Sequence, residues 1–108
     1  MAWRVEPLNA AVERELLALP SDVQARYLHI AGLLESFGPR HVGMPHVRPL
    51  GSKLWEMRMR GRDGIARAIY VTASGQRLVI LHAFIKKTER TPRAALELAK
   101  RRATEITP

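Results

Sequence analysis

The sequence predicts an α+β fold: an antiparallel sheet of three to four strands, an N-terminal helical hairpin and a C-terminal helix, in one domain over residues 1–108. Three observations carry this reading. Apolar residues recur at helical spacing as far as Leu34, the period changes to two after Leu54, and Thr91-Pro92 opens a last amphipathic segment. The length of 108 residues suits one compact domain. With only two Trp, two Tyr and two Phe, the core rests mainly on Leu, Val, Ile, Ala and Met.

Taken in order, Trp3 to Glu6 reads as a short strand that Pro7 ends. Asn9 caps a helix from Ala10 to Leu19, with Glu13 and Glu15 near its start, where the helix dipole favours negative charge. Pro20 breaks the chain. Ser21 and Gln24 have the spacing of a capping box at the head of a second helix, and Val23, Tyr27, Ile30, Ala31 and Leu34 form its apolar stripe. Gly38 and Pro39 stop it. The two helices form a hairpin over one face of the sheet, so that the whole is a single α+β layer pair.

Pro39, Gly43, Pro45, Pro49 and Gly51 punctuate residues 39–52, which read as an irregular loop. His41 and His46 lie there without a third ligand nearby and read as surface histidines, so no metal site is expected. From Leu54 the pattern alternates: Trp55, Met57 and Met59 share one strand face, and Glu56, Arg58 and Arg60 the other. Turns at 61–64 and at Ser74-Gly75 separate this strand from a second, Ile65 to Thr72, and a third, Arg77 to Ile85. The third is apolar on both faces and reads as a central strand, and turns this short make the neighbours antiparallel. Thr91 reads as the cap of the last helix, Pro92 as its first residue, and Leu96, Ala99, Ala103 and Ile106 as its apolar seam.

Charge is unevenly placed. Residues 1–39 carry three Arg against five carboxylates, net −2, whereas residues 40–87 carry ten Arg and Lys against two carboxylates, net +8. A field so concentrated favours a polyanion, nucleic acid being the commonest. The absence of cysteine excludes disulfides and thiolate metal sites and suits a cytoplasmic setting. No apolar run approaches the roughly 20 residues that span a bilayer, so no membrane partner is expected. There is no phosphate loop, His-Glu metalloprotease spacing or serine-nucleophile elbow, and no cofactor is expected.

The candidate chemistry lies on the strands. Across a hairpin turning at 61–64, Arg58 stands opposite Arg67. Two facing guanidinium groups repel unless an anion bridges them, and guanidinium grips phosphate bidentately. Alternatively, Glu56 or a backbone carbonyl neutralises one of them. Lys86 and Lys87 close the third strand. His82 and Phe84 share a strand face, where Phe84 stacks a base or joins the core, and Tyr70 is open in the same way. Cleaving RNA without a metal requires the 2′-hydroxyl to be activated, the leaving oxygen to be protonated and the phosphorane charge to be stabilised. Arginine suits the last task. His82, Lys86, Lys87, Tyr70 and Glu56 are the candidates for the others. Arg67→Ala is expected to abolish such an activity with little change in stability.

Leu54-Trp55-Glu56-Met57-Arg58, Ala66-Arg67-Ala68-Ile69-Tyr70 and the stretch from Leu81 to Pro92, with Phe84-Ile85-Lys86-Lys87-Thr88 its most specific part, resemble the phage-derived branch of the RelE/HigB toxins. The resemblance covers nearly the whole chain. It implies a microbial-ribonuclease-like RelE fold, a cognate antitoxin partner, and metal-independent cleavage of messenger RNA on the ribosome. It makes Arg67 the phosphate-stabilising arginine and Arg58 its basic neighbour, and it places Lys86 and Lys87 near the basic residue after the last strand. His82 and Tyr70 complete the catalytic set, with Lys53, Arg60, Phe84 and Arg90 as RNA contacts. Members of the family also carry a tyrosine in the C-terminal segment, and this chain has none after Tyr70. Two alternatives stand beside this reading: a ParE-like toxin acting on DNA gyrase, and a nucleic-acid-binding module without activity.

Overall fold

The computed structural model describes residues 3–86 and 90–106, with Lys86 described through its backbone alone. The elements are β1 (Arg4–Pro7), α1 (Ala10–Leu17), α2 (Ser21–Phe37), a 3-10 turn (Pro39–His41), β2 (Val47–Gly51), β3 (Leu54–Gly61), β4 (Gly64–Ala73), β5 (Arg77–Lys86) and α3 (Arg93–Ala103). The strands form one sheet in the order β1-β5-β4-β3-β2. The β3–β4 and β4–β5 hairpins are antiparallel as expected, β2 adds a third antiparallel pairing with β3, and β5 lies inside the sheet because β1 joins its far side in parallel.

The α+β class holds, with three corrections to the arrangement. The sheet has five strands rather than three to four, and the added one, β2, lies in the stretch expected to be an irregular loop. Its proline and glycine give it the composition of a loop, but an edge strand admits proline because one row of its amides needs no partner. Pro49 sits opposite Trp55, next to a register shift that ends at Gly51. The molecule also has two core layers rather than one. β4 and β5 are apolar on both faces. Ala68, Tyr70, Leu78 and Ile80 pack with Val12, Leu16, Ile30 and Leu34 from α1 and α2, whereas Ile69, Val71, Val79 and Leu81 pack under Ala95 and Ala99 of α3. A strand buried on both faces needs cover on both, which one helical hairpin does not give.

The helix ends supply the third correction. Asn9 caps α1 as expected, its side-chain oxygen accepting from the Val12 amide at 3.1 Å, although the helix stops at Leu17. The Ser21–Gln24 capping box does not form. Pro20 holds the cap position of α2 without a side-chain bond, and the Gln24 amide turns back to the carbonyls of Leu17 and Leu19. Thr91 does not cap α3 either. Pro92 occupies the cap position, and the Thr91 hydroxyl is used elsewhere.

Two carboxylates close strand edges that would otherwise expose unpaired amides. Glu35 of α2 accepts from the Val5 amide at 2.9 Å. β1 stops pairing at Ile80, and beyond that point Glu15 of α1 accepts from the Ala83 amide at 3.1 Å. The start of α2 rests on the β3–β4 turn, where Asp22 accepts from the Arg62 amide and a Cβ on Gly61 would come within 2.5 Å of Val23.

Candidate nucleic-acid interface

α3 covers only part of its side of the sheet. On the remainder, the alternation of β3 and its neighbours sets out three cross-strand rows. The first runs Arg48, Glu56, Ile69, His82 from β2 to β5; the second runs Arg58, Arg67, Phe84; the third runs Arg60, Ile65, Lys86. Directly opposed residues share a face, so Arg48, Glu56, Arg58, Arg60, Arg67 and Phe84 belong to one surface.

Glu56 organises it. The side chain is fully buried, with 0% exposure. One carboxylate oxygen accepts from Arg67 Nη1 and from Arg48 Nε (2.9 Å), and the other accepts from the Thr91 hydroxyl. Burial pushes its acidity toward the neutral form, but the Thr91 hydroxyl, Arg67 and Arg48 together outweigh burial and hold the carboxyl below its ordinary value. A carboxylate so occupied is a poor proton shuttle. It acts as an anchor, fixing Arg67 and fastening the entry to α3 onto the sheet.

The arginine pair is therefore asymmetric. Arg67 is 3% exposed and bound to Glu56. Burial and the nearby Arg58 lower its pKa, against the support of Glu56. Arg58 is half-buried and, among the described residues, has no ion pair with a carboxylate. Of the two alternatives open in the sequence, neutralisation by Glu56 is the one present, and it falls on Arg67. An oxyanion at Arg58 would lie in the field of Arg67 as well, with Arg60 two residues further along the strand.

The remaining sequence candidates fall into three groups. Phe84 comes to this surface beside Arg67, and its ring stacks on His82 with centroids 4.9 Å apart. His82 shares the face, but its Nδ1 is bound to Glu15 at 2.9 Å, and Glu15 also binds Arg102 at 2.9 Å. The structure does not bring Tyr70 to the site: it is fully buried in the core layer under α1 and α2, and burial raises its pKa. Lys53 sits in the β2–β3 turn at the opposite end of β3 from Arg60. Arg90 is exposed just before Thr91. The side chain of Lys86 and the whole of Lys87 lie outside the described residues.

Arg48 and Thr91 belong to the site, although the sequence pattern puts the one in a loop and the other at a helix cap. Glu15 has the place of a helix-dipole residue in the sequence, and the tertiary packing of α1, β5 and α3 gives it its second role. Among the described residues no group of three His, Cys, Asp or Glu side chains is placed to hold a metal ion, and no helix is long and apolar enough to cross a membrane.

Comparison with known proteins agrees with this architecture. The family model for the phage-derived protein Gp49-like matches residues 14–104. A chain of the archaeal RelE-RelB complex from Pyrococcus horikoshii OT3 is similar in structure at 25% identity and a TM-score of 0.58, covering 81% of this chain and 98% of that one. No curated protein matches. The family match includes all five of the residues in the Glu56 and Arg58 cluster, namely Arg48, Glu56, Arg58, Arg67 and Thr91, and the chain belongs to the phage-derived Gp49-like family of RelE-like toxins.

Proposed function

We propose that this protein is the toxin of a toxin–antitoxin pair and an endoribonuclease that cleaves messenger RNA on the ribosome, needing no metal and acting in the cytoplasm. The observation that carries the reading is the Arg58/Arg67 pair, two guanidinium groups opposed on one sheet face, of which Glu56 meets only Arg67. Charge on the phosphoryl oxygens grows as the 2′-hydroxyl attacks, so cations fixed before the reaction favour the transition state over the substrate. Glu56 supplies the fixing, holding Arg67 from behind. The proton-transfer roles fall to His82, Lys86 and Lys87, with Phe84 as a stacking surface and Lys53, Arg60 and Arg90 as RNA contacts.

The partner follows from charge and from the neighbour. The matched archaeal structure is a RelE-RelB complex, and a chain of net charge +8 calls for an acidic antitoxin over its basic face. Expression without that antitoxin is expected to arrest translation and leave cuts inside translated coding regions. DNA breaks or gyrase inhibition with messages intact would replace this reading by the ParE-like one. A harmless protein that binds nucleic acid would reduce it to a binding module.

A further inference from the structure

A shallow cavity of about 150 Å³ opens at the edge of β3, lined by Arg26 from α2, Pro45 and His46 from the segment before β2, Arg58 and Arg60 from β3, and Ile65 from β4. It exists because β2 pairs with β3 only as far as Val47 opposite Met57. The next amide, Arg58 N–H, donates to the His46 carbonyl at 2.7 Å, after which the edge of β3 is left open. The His46 ring stands edge-on to His29, centroids 6.1 Å apart.

No carboxylate lines this cavity. Among the described residues Arg26, Arg58 and Arg60 form no ion pair. Asp22, one helical turn before Arg26, has its carboxylate turned to the amides of Arg62 and Val23. Three guanidinium groups and an imidazole from three separate elements thus converge without internal compensation. Such an arrangement costs stability unless an anion is present, and it suits one because guanidinium forks match phosphate oxygens. Arg58 and Arg60 are two residues apart, about 6.7 Å along a strand, close to the separation of successive phosphates in an extended single strand.

We infer that this cavity is a phosphodiester subsite for single-stranded RNA, in which Arg26 and His46 hold a backbone phosphate next to the one at Arg58 and Arg67. The strand leaves the open sheet face around the edge of β3 and passes onto α2. This rests on the reading of the protein as acting on RNA, and it adds α2 and the segment before β2 to the surface.

The test measures binding of an end-labelled unstructured oligoribonucleotide over a series of KCl concentrations, for wild type, Arg26→Ala, Arg26→Glu and the exposed control Arg14→Ala. Loss of one phosphate contact lowers the slope of log K against log salt by about 0.7 for a single strand and weakens binding evenly across sequences. Arg26→Ala is expected to show that lower slope, Arg26→Glu a larger loss of affinity, and Arg14→Ala the wild-type slope. Wild-type slopes in both Arg26 variants would overturn the subsite, as would an Arg26 effect confined to association with an acidic protein partner. Cleavage of translated messages by the wild-type protein is measured alongside. Messages cut normally with an unchanged Arg26 slope remove the subsite and leave the proposed function standing. Uncut messages with a lowered slope remove the nuclease reading and leave the RNA subsite.

Discussion

Arg58 and Arg67 stand directly opposite each other on β3 and β4, yet of the two only Arg67 is met by a carboxylate. Like charges at opposed positions are destabilising in a sheet. The pairing persists because Glu56 takes one charge out of the balance and the half-buried position of Arg58 leaves the other in contact with solvent.

Arg58→Ala is expected to separate activity from folding. The side chain has no ion pair to lose among the described residues, and its removal relieves repulsion on Arg67. Thermal unfolding should therefore change by less than about 0.5 kcal/mol, while cleavage falls by about 10²–10³-fold if Arg58 meets the developing phosphoryl charge. A variant as stable as wild type and equally active would refute that assignment.

Arg67→Ala behaves differently, and the expectation of little change in stability does not survive its burial. Removing one partner of a buried pair costs about 3–5 kcal/mol because the other charge remains behind. Arg48 and the Thr91 hydroxyl still serve Glu56, which places the expected loss near the lower end. Denaturant unfolding measures it. An activity loss in Arg67→Ala is interpretable only beside Glu56→Gln with Arg67→Gln, which removes both charges and retains hydrogen bonding. Unfolding of the single variant with recovery of stability in the double one is the expected pattern.

Period and turn chemistry made most of the fold legible. The β3–β4 register followed from the 61–64 turn, and the stripe of α2 followed from Val23, Ile30, Ala31 and Leu34. What stayed illegible depended on contacts distant in sequence. Glu56 looked like a solvent-facing residue because it alternates with Trp55 and Met57, and only the approach of Arg48 from β2 and Thr91 from the entry to α3 makes it a buried hub. Likewise, the spacing of Ser21 and Gln24 fits a capping box, but the end of α1 offers Gln24 two carbonyls at 3.0 and 2.7 Å and takes its side chain away. Local patterns state what a residue is able to do, and tertiary neighbours decide which of those options is used.

Stability should depend on acid through Glu56. Its carboxyl is held below the ordinary value of 4.5, so its contribution is fully present above that value and is lost as pH falls through the lowered one. Glu15, held low by the His82 side chain, the Ala83 amide and Arg102 against the opposing effect of burial, acts in the same direction. The melting temperature of wild type is expected to fall on acidification below about pH 4.5, and Glu56→Gln should start lower and fall less steeply. Parallel curves for the two proteins would show that the dependence arises elsewhere.

Tyr70→Phe tests the tyrosine. The hydroxyl is buried and finds no hydrogen-bond partner among the described residues. Deleting it removes an unsatisfied polar group, so stability should hold or rise by about 1 kcal/mol, with cleavage unchanged. Because the core layer of Tyr70 is on the opposite face from Arg67, a large loss of activity at preserved stability would require a different path between them.

Thr91 has the place of a helix cap in the sequence and is a tether to Glu56 in the structure. As a helix cap it would be replaceable by aspartate, which caps at least as well as threonine. In the structure its hydroxyl donates to Glu56, and Pro92 holds the cap position of α3 without any side-chain bond. Aspartate there would set a second carboxylate against a buried one. Like charges at that distance force one of them to take up a proton or the segment to pull away. Thr91→Asp is therefore expected to destabilise by more than Thr91→Val, which only leaves one Glu56 oxygen without its donor and costs about 1–3 kcal/mol. Thr91→Ser, which keeps the hydroxyl, should stay close to wild type. The order Ser, Val, Asp in increasing loss of stability, measured by chemical denaturation at neutral pH, supports the tether. An aspartate variant as stable as wild type would return Thr91 to the capping role and detach the entry of α3 from Glu56.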